Sequence, residues 1–208
     1  MASLIAAACS SFGGGTQREP KAQLPTPAGT ASPAKTPSPA TAGLTHFQYE
    51  FPVQLPSVTS YVQGHHDYPA TDIFAPEGSP FVAVTSGVVE EVGRTDVWDP
   101  ALDDPETRGG LSVSIIGDDG VRYYGSHLMS VRIGIRVDFR VEAGELLGRV
   151  GLTGNARGTD PHLHFGISPA TRAGDWRIRR GMLDPFPYLQ AWRQGRDLSP
   201  RRAARVSR

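Results

Sequence analysis

Histidine is the side chain whose ordinary pKa lets it ligate a metal or carry a proton near neutral pH. This chain of 208 residues contains six histidines, and five of them fall in three short blocks. "GHHDYPATDIFAPEGSP" (64–80) holds His65, His66 and Asp72; "YYGSHL" (123–128) holds His127; "TDPHLHFGIS" (159–168) holds His162 and His164. In an extended strand residues i and i+2 share a face, so His162 and His164 project together while Leu163 turns to the core. Two adjacent imidazoles repel when charged and lose hydration when buried. A bound metal relieves that cost, and so does a division in which one ring ligates and the other handles protons. Taken alone, His-x-His also suits surface or core histidines; the other two blocks are what turn the reading toward chemistry. One aspartate and two histidines make a three-ligand zinc site with an open fourth position. The remaining histidines are then free for acid–base work.

The elements that must hold these residues read as short strands. The chain has 24 glycines and 18 prolines, which favour turns. "PFVAVTSGVVEEVG", "GLSVSIIGDDGVRYYGSHL", "IRVDF", "LLGRVGLTG" and "HLHFGIS" are β-branched or aromatic runs bounded by Gly, Pro, Asp or Asn. "FQYEFPVQL" alternates apolar with polar residues, and "GDDG" between two such runs signals a hairpin. The expectation is an all-β domain, a compact antiparallel sheet or sandwich. "RTDVWDPALDDPETRGG" (94–110) interrupts it and is too long for a hairpin turn. Such a loop reads either as functional or as a solvated insertion, and its acidic cluster lacks the spacing of a calcium-binding EF-hand loop. One of Tyr123 and Tyr124 faces the core and leaves the other to line a groove. Asn155 either holds a loop beside the site or occupies a turn; Gly148, Gly151 and Gly154 read as turn and close-packing glycines. "FPYLQAWRQG" fits a short helix with Pro187 in its first turn, Tyr188, Leu189 and Trp192 on one face, and Gly195 as terminator. The domain with its C-terminal extension is placed at 45–198, and 199–208 reads as a solvated, disordered basic tail.

The rest of the composition narrows the classes. Lys plus Arg equals Asp plus Glu at 21 each, which argues against a dedicated nucleic-acid binder. No apolar run is long enough to span a membrane. One cysteine, Cys9, excludes an internal disulfide and a multi-thiolate zinc site. "MASLIAAACSS" (1–11) resembles the end of a bacterial lipoprotein signal, with Cys9 as the lipid-anchored residue. It lacks a preceding Lys or Arg, its apolar run is short, and Ala6 stands three before the cysteine. An incidental cysteine, or a start lying upstream of Met1, are the competing readings. Residues 12–44 are rich in Pro, Ala, Thr, Ser and Gly and are expected to form an extended disordered tether, or a plain linker.

Taken in order, "HDYPATDIFAPEGSPFVAVTSGVVEEVG … RYYGSHL … AGELLGRVGLTG … PHLHFGIS" resembles the LytM/lysostaphin-type zinc metallopeptidases, family M23. "DWRIRRGMLDPFPYLQAW" further resembles actinobacterial members. The resemblance implies a compact antiparallel β fold with its site in a groove between loops, and an extracytoplasmic enzyme that hydrolyses peptide cross-links of peptidoglycan. It also implies zinc ligands at His66, Asp72 and His164, and catalytic histidines at His127 and His162. The family commonly places three residues between its first histidine and the aspartate. Here five separate His66 from Asp72 and six separate His65 from it, so His66 is preferred and His65 stays open. A non-catalytic relative that binds peptidoglycan or activates a cell-wall amidase is the alternative; the filled motif positions favour the enzyme.

Overall fold

Strand "HLHFGISP" lies at the centre of the molecule, and all eight of its residues are buried. The computed structural model describes residues 47–54, 56–65 and 68–207. The signal-like start with Cys9, the tether at 12–44 and His66 lie outside the described residues.

Among the described residues ten strands follow in chain order: β1 (Ser60–Tyr61), β2 (Thr71–Phe74), β3 (Pro80–Val82), β4 (Gly87–Gly93), β5 (Ser112–Gly117), β6 (Val121–Ser126), β7 (Leu128–Val131), β8 (Arg140–Val141), β9 (Leu146–Val150) and β10 (His162–Pro169). Seven form one sheet in the order β1-β2-β10-β6-β5-β4-β8, and three form a second in the order β3-β9-β7. Every pairing is antiparallel. The all-β expectation holds, and the reason is visible in the pattern. Val89, Val113, Ile115, Leu163, Phe165 and Ile167 meet Phe81, Leu128 and Leu147 in one apolar core. The "GDDG" turn closes the β5–β6 hairpin as expected. Asp119 makes that turn a tie point, because its carboxylate accepts from the Val121 amide and from the hydroxyls of Tyr49 and Tyr123.

Arg122 is fully buried in β6 and is the largest such side chain. It forks onto Glu90 of β4 at 2.6 and 2.7 Å and reaches the carbonyls of Pro169 and Thr171 just past β10. A buried cation is tolerated only when its hydrogen bonds are satisfied this fully. The result is a fixed spacing between the central strands.

Three helices follow β10: α1 (Trp176–Arg179), α2 (Phe186–Arg193) and α3 (Arg201–Val206). The helix expected at "FPYLQAWRQG" is α2, with Pro187 in its first turn and Leu189 and Trp192 buried. Trp192 stacks on Tyr49 with ring centroids 5.3 Å apart. Three expectations are corrected. Among its described residues "FQYEFPVQL" forms no strand: only Val53 bridges, to Phe81, and Pro52 has no amide hydrogen to give a ladder. "IRVDF" does not form a strand: Phe139 bonds back to Arg136, and Asp138 takes a positive φ of 65°, so the segment turns. Its apolar residue Ile135 is buried by that turn rather than by a sheet face. The basic tail is not solvated throughout, since residues 201–206 form α3 and bury Ala204 against the core. Charge density concealed the one small apolar face. Among the described residues no helix is long and apolar enough to cross a membrane.

Candidate metal and catalytic site

Strand register assembles the site. In the antiparallel ladder His164 of β10 lies directly opposite Asp72 of β2 on one side and Ser126 of β6 on the other. Residues directly opposite share a face, so Asp72 and His164 are brought side by side by main-chain pairing alone. His164 Nδ1 stands 3.0 Å from Asp72 Oδ1, and its Nε2 stands 3.1 Å from the Arg180 carbonyl. A carbonyl only accepts, so Nε2 donates to it, and Nδ1 is the ring atom turned toward Asp72 and the donor cluster.

The third donor comes from the turn before β2. The Tyr68 amide donates to the His65 carbonyl at 3.1 Å, folding the chain so that the His65 ring lies 4.7 Å from that of His164. His65 Nε2 is 3.7 Å from Asp72 Oδ2. One donor atom from each of His65, Asp72 and His164 lies within 4.8 Å of the others. Two imidazole nitrogens and a carboxylate are the donor set of a three-ligand zinc site. The residues fit such an ion. Burial alone would raise the Asp72 carboxyl, but the hydrogen bond from His164 and the nearby histidines hold it down at about 2, so it stands ready as a carboxylate.

His127 is the single residue between β6 and β7, the point where the chain leaves the seven-stranded sheet for the three-stranded one. That crossing requires a positive φ of 63°, a region most non-glycine residues avoid. It aims the imidazole at His162, with ring centroids 5.0 Å apart. His127 Nδ1 donates to the Thr153 carbonyl at 2.9 Å, and His162 Nδ1 to the Asp160 carbonyl at 2.8 Å. Both rings therefore present a bare Nε2. Burial first, and then the neighbouring imidazoles of His164 and His162, lower the His127 pKa to about 3, so this ring is neutral.

Loop 94–110 holds this corner in place. The amides of His127 and Leu128 donate to the carbonyls of Gly109 and Leu111, and the Asn155 amide to that of Arg108. Asp96 accepts from the Gly154 amide and pairs with Arg157 at 2.5 Å. Gly154 has φ +67°, and a Cβ there would strike the Arg108 carbonyl, so only glycine lets the two loops interlock. The loop's acidic groups are engaged by arginines and amides: Asp103 takes Arg108, and Asp104 takes the Glu106 amide.

Four residues expected from the sequence thus meet in one place: Asp72, His164, His127 and His162. His66 lies outside the described residues, and His65 stands beside Asp72. Tyr68, with three residues between it and Asp72, occupies the position where the family spacing puts the histidine. Of the paired tyrosines, Tyr124 lines the cleft and Tyr123 is core; Asn155 also lines the cleft. Trp176, Arg179 and Arg180 line it too and were not singled out in the sequence. Their only local signal is an arginine-rich run, which reads equally as a solvated surface.

The cleft has a volume of about 270 Å³. Residues 66–176, over half of the chain, match the family described as Peptidase family M23. The L-Ala–D-Glu endopeptidase of Bacillus subtilis (strain 168) is 31% identical over 134 residues, covering 62% of this chain and 36% of that protein. The glycyl-glycine endopeptidase ALE-1 of Staphylococcus capitis is 30% identical over 131 residues, covering 62% of this chain and 31% of that one. The chain spans about a third of the length of these curated relatives. Among solved structures, the antimicrobial peptidase lysostaphin from Staphylococcus simulans is similar with a TM-score of 0.50 at 25% identity, covering 76% of this chain and 59% of that one.

Proposed function

The chain belongs to peptidase family M23, and from that membership we propose that it is a zinc-dependent endopeptidase acting outside the cytoplasm on the peptides of bacterial peptidoglycan. One observation carries the proposal: His65, Asp72 and His164 converge as metal donors beside two histidines whose Nε2 atoms are bare. We take His65, whose Nε2 is 3.7 Å from Asp72 Oδ2, as the first ligand in place of the His66 preferred from the sequence. The names of the two relatives supply the candidate bonds, one next to a glutamyl residue and one within a glycine bridge.

A bound zinc ion would supply Lewis acidity, making water nucleophilic near pH ~7 and polarising the scissile carbonyl. The chain's own residues do the rest. Either His127 or His162 accepts a proton at Nε2 from the attacking water and later gives it to the departing amine. The other ring, once it carries a proton at Nε2, donates to the oxygen on which negative charge develops. Thr153 and Asp160 keep both rings in the tautomer this requires, and the Arg180 carbonyl orients His164. Neutrality of His127 leaves its Nε2 available for that first proton. Pro105, Glu106, Arg108, Gly109, Trp176, Arg179 and Arg180 wall the cleft in which this chemistry would run.

The test is release of new amine termini from purified peptidoglycan by the full chain. Release that stops with a chelator and returns with zinc is expected. A zinc-loaded protein that releases none, yet sediments with peptidoglycan, would instead favour a binding role.

A further inference from the structure

Three arginines, Arg108, Arg179 and Arg180, line the cleft that holds the histidines. Two of them already have carboxylates. Arg108 forks onto Asp103 at 2.9 and 2.6 Å, and Arg179 pairs with Glu91. Arg180 differs: among the described residues no carboxylate forms an ion pair with it. Its Nε is buried and makes no hydrogen bond. The guanidinium instead lies over aromatic rings, 3.9 Å from the centroid of Tyr68 and 5.3 Å from that of Trp176. Stacking satisfies its faces but none of its N–H donors. Such a plane presents its edge as a rigid fork, the geometry that takes a carboxylate in two parallel hydrogen bonds.

Position gives the fork its meaning. The carbonyl of the same residue orients His164, so the Arg180 backbone is 3.1 Å from the donor triad while its side chain lies over Tyr68, next to His65. Arg180 also lies beyond residues 66–176, the stretch matched by the family. A half-buried cation left without a counter-charge costs solvation, and an arriving anion recovers that cost. Glu106, the carboxylate on the cleft wall, is exposed and forms no ion pair with it.

We infer that Arg180 is a specificity-determining residue that receives a carboxylate on the substrate residue flanking the scissile bond. The cleft thereby prefers an acidic peptide to an uncharged glycine bridge. This rests on the endopeptidase reading of the site and names the substrate class within it.

The experiment uses three probes with the full chain: a peptide with D-glutamate after the scissile bond, the same peptide with that free carboxylate amidated, and tetraglycine. Cleavage is read as kcat/KM on the zinc-loaded protein, and binding by calorimetry on the chelator-treated one. The acidic peptide is expected to be favoured about tenfold or more in both, the size of one charged hydrogen-bond pair. Arg180→Gln should bring the acid-to-amide ratio down toward one. Arg177→Gln, an exposed neighbour that stacks on Trp176, should leave the preference intact. Equal handling of acid and amide by the wild type, or an equal loss on both in Arg180→Gln, would overturn the inference while sparing the endopeptidase. Preferential binding of the acid that depends on Arg180, with neither peptide nor tetraglycine cleaved, would sink the endopeptidase and leave the carboxylate site standing.

Discussion

His164 and His162 stand two residues apart on one strand, yet different partners give them different duties. His164 has its Nε2 tied to a carbonyl and its Nδ1 facing Asp72, whereas His162 has its Nδ1 tied and its Nε2 free. Replacement therefore separates the roles. His164→Ala is expected to abolish stoichiometric zinc, measured by atomic absorption on the purified protein. His127→Ala should retain zinc and lose activity by about 10²–10⁴-fold, the range for an acid–base group. The first ligand is tested the same way. His65→Ala should lower zinc content and His66→Ala should not; the reverse pattern would return the role to His66. That these side chains converge was legible in the sequence because register converts a period of two into a shared face. The approach of His65 to Asp72 was not legible, because it depends on the bond that closes from the Tyr68 amide to the His65 carbonyl. Arg180 was hidden for a similar reason: its stacking partner is over a hundred positions away, and a run of arginines carries no mark of which one is stacked.

At the scale of elements, the site depends on how loop 94–110 locks against the turn at 153–157. Strand positions could be read from alternation and punctuation, and they hold except at "FQYEFPVQL", where only Val53 bridges to another strand, and at "IRVDF", where the turn at Asp138 overrides β propensity. The loop could not be read, since its role comes from bonds to residues some sixty positions later. Asp96 is the main anchor. Burial acts to raise its carboxyl, but the Gly154 amide, Arg157 and the Trp98 amide together hold it below the ordinary carboxylate range. A carboxyl depressed in the folded state adds stability above its unfolded pKa of ~3.9 and loses it as acid protonates the folded form. The stability gap between wild type and Asp96→Asn should thus be present at pH 7 and shrink below pH ~4, read from urea midpoints across pH. A gap that stays constant to pH ~3 would mean the anchor is steric rather than charged.

The whole domain rests on a core that does not pass through the site. Tyr49, Tyr123, Phe165 and Trp192 pack as one aromatic group behind the sheet, and the C-terminal segment closes over it. The Tyr49 hydroxyl contacts Ser199 at 2.7 Å, and Trp192 Nε1 donates to the Leu198 carbonyl. Removing residues 199–208 discards one buried hydrogen bond and the buried face of α3. Thermal unfolding should fall by about 4–8 °C, as a loss of ~2 kcal/mol gives in a domain of this size. An unchanged midpoint would mean the tail contributes nothing to the fold. A chain that passes from β6 to β7 through His127 alone has no slack at that point. One residue added after Ser126 would swing the imidazole away and turn every following side chain of β7 to its opposite face. Length variation, which surface loops ordinarily tolerate, is thus barred at the floor of the cleft and open only in its walls. Descendants of such a sequence can change what they accept by lengthening 94–110 or 170–184, but they must keep count between Ser126 and Leu128.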